Sequence, residues 1–395
     1  MRINDAWRAA ISASIIHLVM GANLPYLPVW MERVGGMSGA EIAGASTLAI
    51  LIRIIAGPLA AGIAQQRGLR GTLAATMLVA FAGYALLYPE APRAVDFALC
   101  VLIYTAMNVA GPLFEAILVY GTKGGRPDYG EARAMVSLAF VVANLAGGAV
   151  LAAFGPDWIL HYLLAAAAAS VFAPLFTRRG ARTAVARSSL VSTFRDGIAL
   201  FRPRGVFAFI LAAALIQASH GAYYAFGSNI WIAQGIAPGH IGALWATGVF
   251  AEIVLLILST RLLGRLSPYL VLILGGFGAI IRWSGTGLIL PVETIYVLQL
   301  LHAASFALTH LATMRFLQMT LPEQTLPLAY AVNSALVFGP ALALAGFLAG
   351  LAYDGLAPGG IAAQTKLYWI MSALSAAGFL LALAASRKPV AARVE

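Results

Sequence analysis

Glu252 and His302 are the residues of this sequence best suited to carrying a proton, and Arg282 is one of three arginines within apolar runs that could hold a carboxylate. Imidazole and carboxylate groups change protonation within reach of working pH when their surroundings change. A guanidinium binds a carboxylate through two parallel hydrogen bonds, which a lysine cannot do. These three stand inside apolar runs, as do Arg53, Glu115, Arg133, His17, His220 and His310. Their spacing is helical. Gln217, His220, Tyr224 and Ser228 form one stripe at intervals of three and four, and Gln299, His302, Phe306, His310 and Thr313 form another. Trp245, Glu252 and Ser259 are seven apart, and Tyr104, Asn108 and Glu115 share a face. His302 and His310 differ by about 80° around a helix axis, so both can border one cavity. His17 reads instead as a helix–helix hydrogen bond.

The elements that must position these groups are membrane spans. Hydrophobic residues make up 61% of the 395, charged residues 10%, and mean hydropathy is +0.87. A soluble chain carries about a quarter charged residues, so the solvent for most of this surface is lipid. Windows of about 20 apolar residues fall near 9–30, 40–64, 71–89, 96–120, 132–154 and 158–177, then near 206–231, 241–262, 268–289, 293–318, 326–352 and 365–386. The first run is too long for the core of a signal peptide and is read as a span. The fold class expected is all-α integral membrane: twelve transmembrane helices in two six-helix bundles, residues 1–177 and 205–395. Between them runs a polar linker, Arg178 to Arg204, with seven arginines and one aspartate. A solute site is expected between the two related bundles, at mid-membrane.

With a cytoplasmic N-terminus, 19 loop Lys and Arg residues fall inside and 3 outside, namely Arg33, Arg93 and Lys366. That bias places both termini and the linker in the cytoplasm and makes the chain a multi-pass protein of a bacterial inner membrane. The net charge of +10 is thus a membrane signature; the basic residues make no face with interleaved aromatics, and no nucleic-acid partner is expected. Cys100 is the sole cysteine, no His/Asp/Glu cluster has metal-ligand spacing, and there is no P-loop, so no cofactor or metal is expected. A charge at the bilayer centre costs at least about 2.5–3.5 kcal/mol, so the charged groups within spans must face a cavity or one another.

The stretches Ile216 to Phe226, Leu244 to Ile253 and Leu301 to Arg315 resemble the phenylpropionate permease branch of the major facilitator superfamily, as do Arg53 and the Arg282–Trp283 pair. Met20 to Trp30 and Asp128 to Arg133 are more distantly similar to the lactose permease family. The second resemblance implies that Glu115 and Arg133, eighteen residues apart, hold solute, and that Glu252, Arg282 and His302 serve substrate and proton. This chain departs from that family at Ser305, where a proton-linked carboxylate is expected, and at Phe140, where a tryptophan stacks on the sugar. The loop Gly62 to Arg70 also lacks the usual Asp.

The leading expectation is a transporter, not an enzyme, that takes up a small aromatic carboxylate with a proton. Three arginines within spans against two acids leave one positive charge for a substrate carboxylate to meet. Substrate binding is expected at Arg53, Glu115, Arg133, Phe140, His220, Tyr224, Trp245 and Arg282, and proton coupling at Glu252, His302 and His310. Tyr223 and Phe306 supply further aromatic faces. The partners expected are a small solute, protons and the bilayer, with the chain acting as a monomer. A proton-coupled sugar or nucleoside symporter is the first alternative. A membrane sensor without net transport and a lipid-handling protein are alternatives of other classes.

Overall fold

The computed structural model describes residues 4–87, 91–123, 125–177, 190–388 and 390. Among the described residues twelve helices are long and apolar enough to cross a membrane. They are α1 (Asp5–Arg33), α2 (Gly39–Arg67), α3 (Leu69–Leu86), α4 (Arg93–Thr122), α5 (Tyr129–Phe154), α6 (Trp158–Phe176), α7 (Arg204–Ala233), α8 (Pro238–Leu263), α9 (Pro268–Thr286), α10 (Val292–Thr320), α11 (Gly339–Gly359) and α12 (Ile361–Ser386). Each apolar run of the sequence overlaps a span, but the run near 326–352 begins as a short helix, Leu326–Val332, and a π-helix, Asn333–Phe338, ahead of α11. Of the linker, residues 178–189 lie outside the described residues, and Leu190–Ala199 forms a short helix.

Local chemistry sets several helix starts. Ser38 and Glu41 make a reciprocal capping box at α2, and Asp128 and Glu131 make one at α5. Ser267 caps α9, followed by Pro268 at the first helical position, where a missing N–H costs nothing. Side chains such as Ile55, Leu59, Phe250 and Ile257 are exposed, which suits helices whose outer face is solvated by lipid tails.

The helices group into two compact units. The first gathers α1–α6 with the stretch Phe226–Ala246. Here α1 lies against α5 so closely that a Cβ at Gly21 would sit 2.7 Å from the Phe140 carbonyl oxygen. Tyr26 Oη donates to the Asn144 carbonyl at 2.5 Å, and Tyr84 Oη donates to Asn23 Oδ1 at 2.5 Å. Asn229 donates to the Pro28 carbonyl at 3.1 Å and to the Glu32 carboxylate.

The second unit holds the linker helix, the rest of α7 and α8, and α9–α12. Two irregularities within it shape its buried polar interior. α7, expected as one continuous run, is broken at Ser219 and His220, between regular stretches Arg204–Ala218 and Gly221–Ala233. The Ser219 hydroxyl there turns back onto the Ile216 carbonyl and also accepts from Trp283 Nε1 at 2.8 Å. α10 winds as a π-helix over Ala303–Leu308, an extra residue in one turn. α9 meets that turn at very short range: a Cβ at Gly278 would lie 2.5 Å from the Ala304 Cβ, and one at Gly275 would lie 2.7 Å from Thr309 Oγ1. The absence of side chains at these positions lets the end of α9 reach into α10. Arg315 ties the turn after α8 to α10, donating to the carbonyls of Leu263 at 2.8 Å and Leu266 at 2.9 Å.

Candidate functional site

Arg282 stands one turn from the end of α9, with no exposed surface. Its guanidinium carbon lies 4.6 Å from the ring centre of Tyr223 and 4.3 Å from that of Trp283, within cation–π range. Nη1 donates to His302 Nδ1 at 2.9 Å and to Ser305 Oγ at 3.0 Å, and Nη2 donates to Gln299 Oε1 at 2.9 Å. Among the described residues no carboxylate pairs with it. A buried arginine is ordinarily paired with an acid; this one rests on an imidazole, a hydroxyl and an amide.

Arg282 and the Gln217 carbonyl together set the hydrogen-bond directions around His302, Ser305 and His220. A guanidinium has donors only, so His302 Nδ1 accepts, and the neutral ring carries its hydrogen on Nε2. His302 Nε2 lies 3.8 Å from Glu252 Oε2 on α8. The approach is close because α8 has Gly248 there, whose Cβ would be 3.3 Å from the His302 Cβ. On the other side, His220 Nδ1 lies 3.1 Å from the Gln217 carbonyl, which can only accept. The neutral His220 ring therefore accepts at Nε2, 3.1 Å from Ser305 Oγ. Ser305 thus accepts from Arg282 and donates to His220. Gln217 completes the set, donating through Nε2 to the Phe306 carbonyl at 3.1 Å. Two buried donors stay without an acceptor among the described residues: Arg282 Nε and Gln299 Nε2.

Four spans contribute to this network: α7 with His220, α8 with Glu252, α9 with Arg282, and α10 with Gln299, His302 and Ser305. The π turn is what aims α10. His302 and Phe306 stack at 5.3 Å with planes 12° apart, while Ser305 turns toward Arg282. Tyr224 stacks on His220 at 5.7 Å. His310 lies further along α10, is exposed, and meets Phe306 ring to ring at 6.4 Å.

The other expected site residues belong to the first unit, where, among the described residues, Glu115 and Arg133 form no hydrogen bond or ion pair with each other. Glu115 accepts from the Tyr129 hydroxyl, and Arg133 donates to Ser137 Oγ at 3.1 Å, one turn along its own helix. Phe140 receives the Asn144 amide on its carbonyl at 2.6 Å. Trp245 donates to Ser228 Oγ at 2.9 Å. Arg53 is half-buried on α2. His17 bonds the Ala13 carbonyl at 3.1 Å and meets Phe114 edge to face at 4.5 Å.

A buried, multi-helix polar network inside a twelve-span chain is the architecture of a solute carrier, and the comparisons with known proteins agree. The profile described as the MFS_1 like family matches residues 14–359. The chain belongs to that family. This MFS_1-like protein is a membrane transporter of the major facilitator type, multi-pass and binding a small-molecule substrate. It is 28% identical over 261 residues, 66% of each chain, to an Escherichia coli (strain K12) protein named "Probable 3-phenylpropionic acid transporter". It is 24% identical over 330 residues, 81% of each chain, to a Geobacillus stearothermophilus protein named "Maltose permease". In fold it is similar to the crystal structure of the nucleoside transporter NupG, with TM-score 0.82 and 16% identity over 98% of this chain and 100% of that one. It is also similar to a bacterial homolog of the human lysosomal transporter Spinster, with TM-score 0.73 and 12% identity over 97% and 96%.

The structure adds Gln299, Ser305, Tyr223 and Trp283 to the MFS_1-like cluster. Gln299 stands on the stripe of His302, and Tyr223 and Trp283 adjoin residues already singled out. Ser305 is visible in sequence only as a serine where a carboxylate is expected. The π turn that aims it has no compositional signature.

Proposed function

We propose that this transporter carries a small aromatic carboxylate into a bacterial cell across the inner membrane together with a proton, as a monomer with both termini cytoplasmic. The observation that carries this reading is Arg282, fully buried and hydrogen-bonded without a carboxylate partner among the described residues. Empty, the cluster holds one positive charge on Arg282 and one negative charge on Glu252. Loaded with a carboxylate at Arg282 and a proton on the Glu252–His302 pair, it is neutral again. Loading either species alone leaves a net charge within the span, at a cost of at least about 2.5–3.5 kcal/mol. Charge balance therefore couples the two. The rings of Tyr223, Tyr224, Trp283 and Phe306 around the cluster suit an aromatic solute, and the name of the Escherichia coli relative supports the same class.

The test is uptake of labelled 3-phenylpropionate into proteoliposomes under an imposed pH gradient. Accumulation that collapses with a protonophore, and competition by other aryl carboxylates but not by maltose or uridine, is expected. Competition by maltose alone would move the reading to a sugar, the class suggested by the Geobacillus relative's name. For orientation, a cysteine at Arg195, in a chain lacking Cys100, is expected to resist impermeant thiol reagents in intact cells.

A further inference from the structure

On a guanidinium, Nε and Nη2 share one edge, and that edge is the one that takes a carboxylate with two parallel hydrogen bonds. In Arg282 this edge is half used. Nη2 donates to Gln299 Oε1 at 2.9 Å, and Nε has no acceptor among the described residues. Gln299 is equally incomplete: its oxygen is engaged and its Nε2 has no acceptor. Both side chains have no exposed surface. Buried donors are nearly always paired, so two orphans side by side call for an explanation. Flipping the amide does not supply one, because Gln299 Nε2 would then face Nη2, donor against donor. The opposite edge is occupied, since Nη1 already serves both His302 Nδ1 and Ser305 Oγ.

We infer that Gln299 is a specificity-determining residue, an exchangeable stand-in whose amide oxygen keeps the carboxylate-binding edge of Arg282 in reserve. An amide oxygen is one acceptor and satisfies one donor of that edge. A carboxylate brings two oxygens at the spacing of Nε and Nη2 and satisfies both. Gln299 is held at one end only, by the bond the ligand replaces, and its unbranched side chain can turn away. The edge then favours planar anions with two oxygens over alcohols and amides, because only the former leave no buried donor behind. This inference rests on the carboxylate reading above and sharpens it to one edge of one side chain.

The test uses Gln299→Glu and Gln299→Leu in the full-length purified protein, with 3-phenylpropionate and 3-phenylpropionamide as probes, read by equilibrium binding and thermal melting. Gln299→Glu places a permanent carboxylate against the edge. It is expected to melt higher than wild type without ligand and to bind 3-phenylpropionate at least about 100-fold more weakly. Gln299→Leu removes the stand-in, and is expected to melt lower without ligand yet bind 3-phenylpropionate about three- to tenfold more tightly. Wild-type protein is expected to prefer the acid to the amide. Unchanged affinity in Gln299→Glu, or weaker affinity in Gln299→Leu, overturns the inference while the carboxylate reading stands. Failure of the wild type to bind 3-phenylpropionate, benzoate or acetate overturns both. Should Gln299→Glu not insert, Gln299→Leu decides by itself.

Discussion

The two compact units hold their candidate site residues in different ways. In the first, Arg133, Glu115 and His17 are satisfied close to home: Arg133 by Ser137 one turn away, Glu115 by Tyr129 at the start of the next helix, His17 by a carbonyl of its own helix. In the second, Arg282 has its partners on α10, His302 reaches on to Glu252 on α8, and Ser305 passes the chain to His220 on α7. A locally satisfied charge can be removed with only local effect. A charge that is the shared donor for three residues of another helix transmits any change to all of them. The coupling of two cargoes proposed above calls for the second arrangement, and the difference predicts where substitutions cost most.

The largest effect is expected at Arg282. Arg282→Lys keeps the charge but loses the planar fork that spans His302, Ser305 and Gln299, so 3-phenylpropionate uptake is expected to fall about 100-fold with normal membrane insertion. Immunoblotting of membranes alongside initial rates checks both. Next is Glu252→Gln, which mimics the protonated acid: solute exchange is expected within about twofold of wild type, but accumulation against a gradient is expected to vanish. Full accumulation by this variant would shift the proton role to His302 by itself. Ser305→Ala removes the hydroxyl that links Arg282 to His220. It is expected to cost about tenfold in uptake, the scale of one hydrogen bond to a charged group, where Ser137→Ala, which removes the partner of Arg133, is expected to change it by less than about twofold. Arg133→Lys is the substitution most able to break the comparison. An intermediate loss, about tenfold in apparent affinity, fits a solute contact from the first unit. A loss equal to that of Arg282→Lys would mean that locally bonded groups matter as much as networked ones.

The twelve spans were legible because lipid dictates about 20 apolar residues per crossing, a demand written directly in composition. The break at Ser219 and His220 and the π turn at Ala303–Leu308 were not, since neither changes hydropathy. The stripes on α7 and α10 were legible as periodicity, and the cluster draws His220, Gln299 and His302 from them. Gln299 and Ser305 carried no charge to draw the eye, and what they do depends on Arg282 arriving from α9 through a glycine-lined approach. The eighteen-residue spacing of Glu115 and Arg133 fixed their helices but not their partners, because an ion pair depends on rotamers that spacing does not record.

His302 Nδ1 offers a single lone pair, and Arg282 holds it. With Nε2 already carrying its hydrogen toward Glu252, a proton added to the ring has nowhere else to go. Proton and arginine are thus mutually exclusive tenants of one atom: a charged imidazole would meet Nη1 donor to donor at 2.9 Å, and one must leave. In the proposed transport cycle that nitrogen is a gate with two rival occupants, a hydrogen ion and a side chain, and which of them holds it decides whether the guanidinium rests on α10 or is at liberty to seek an anion.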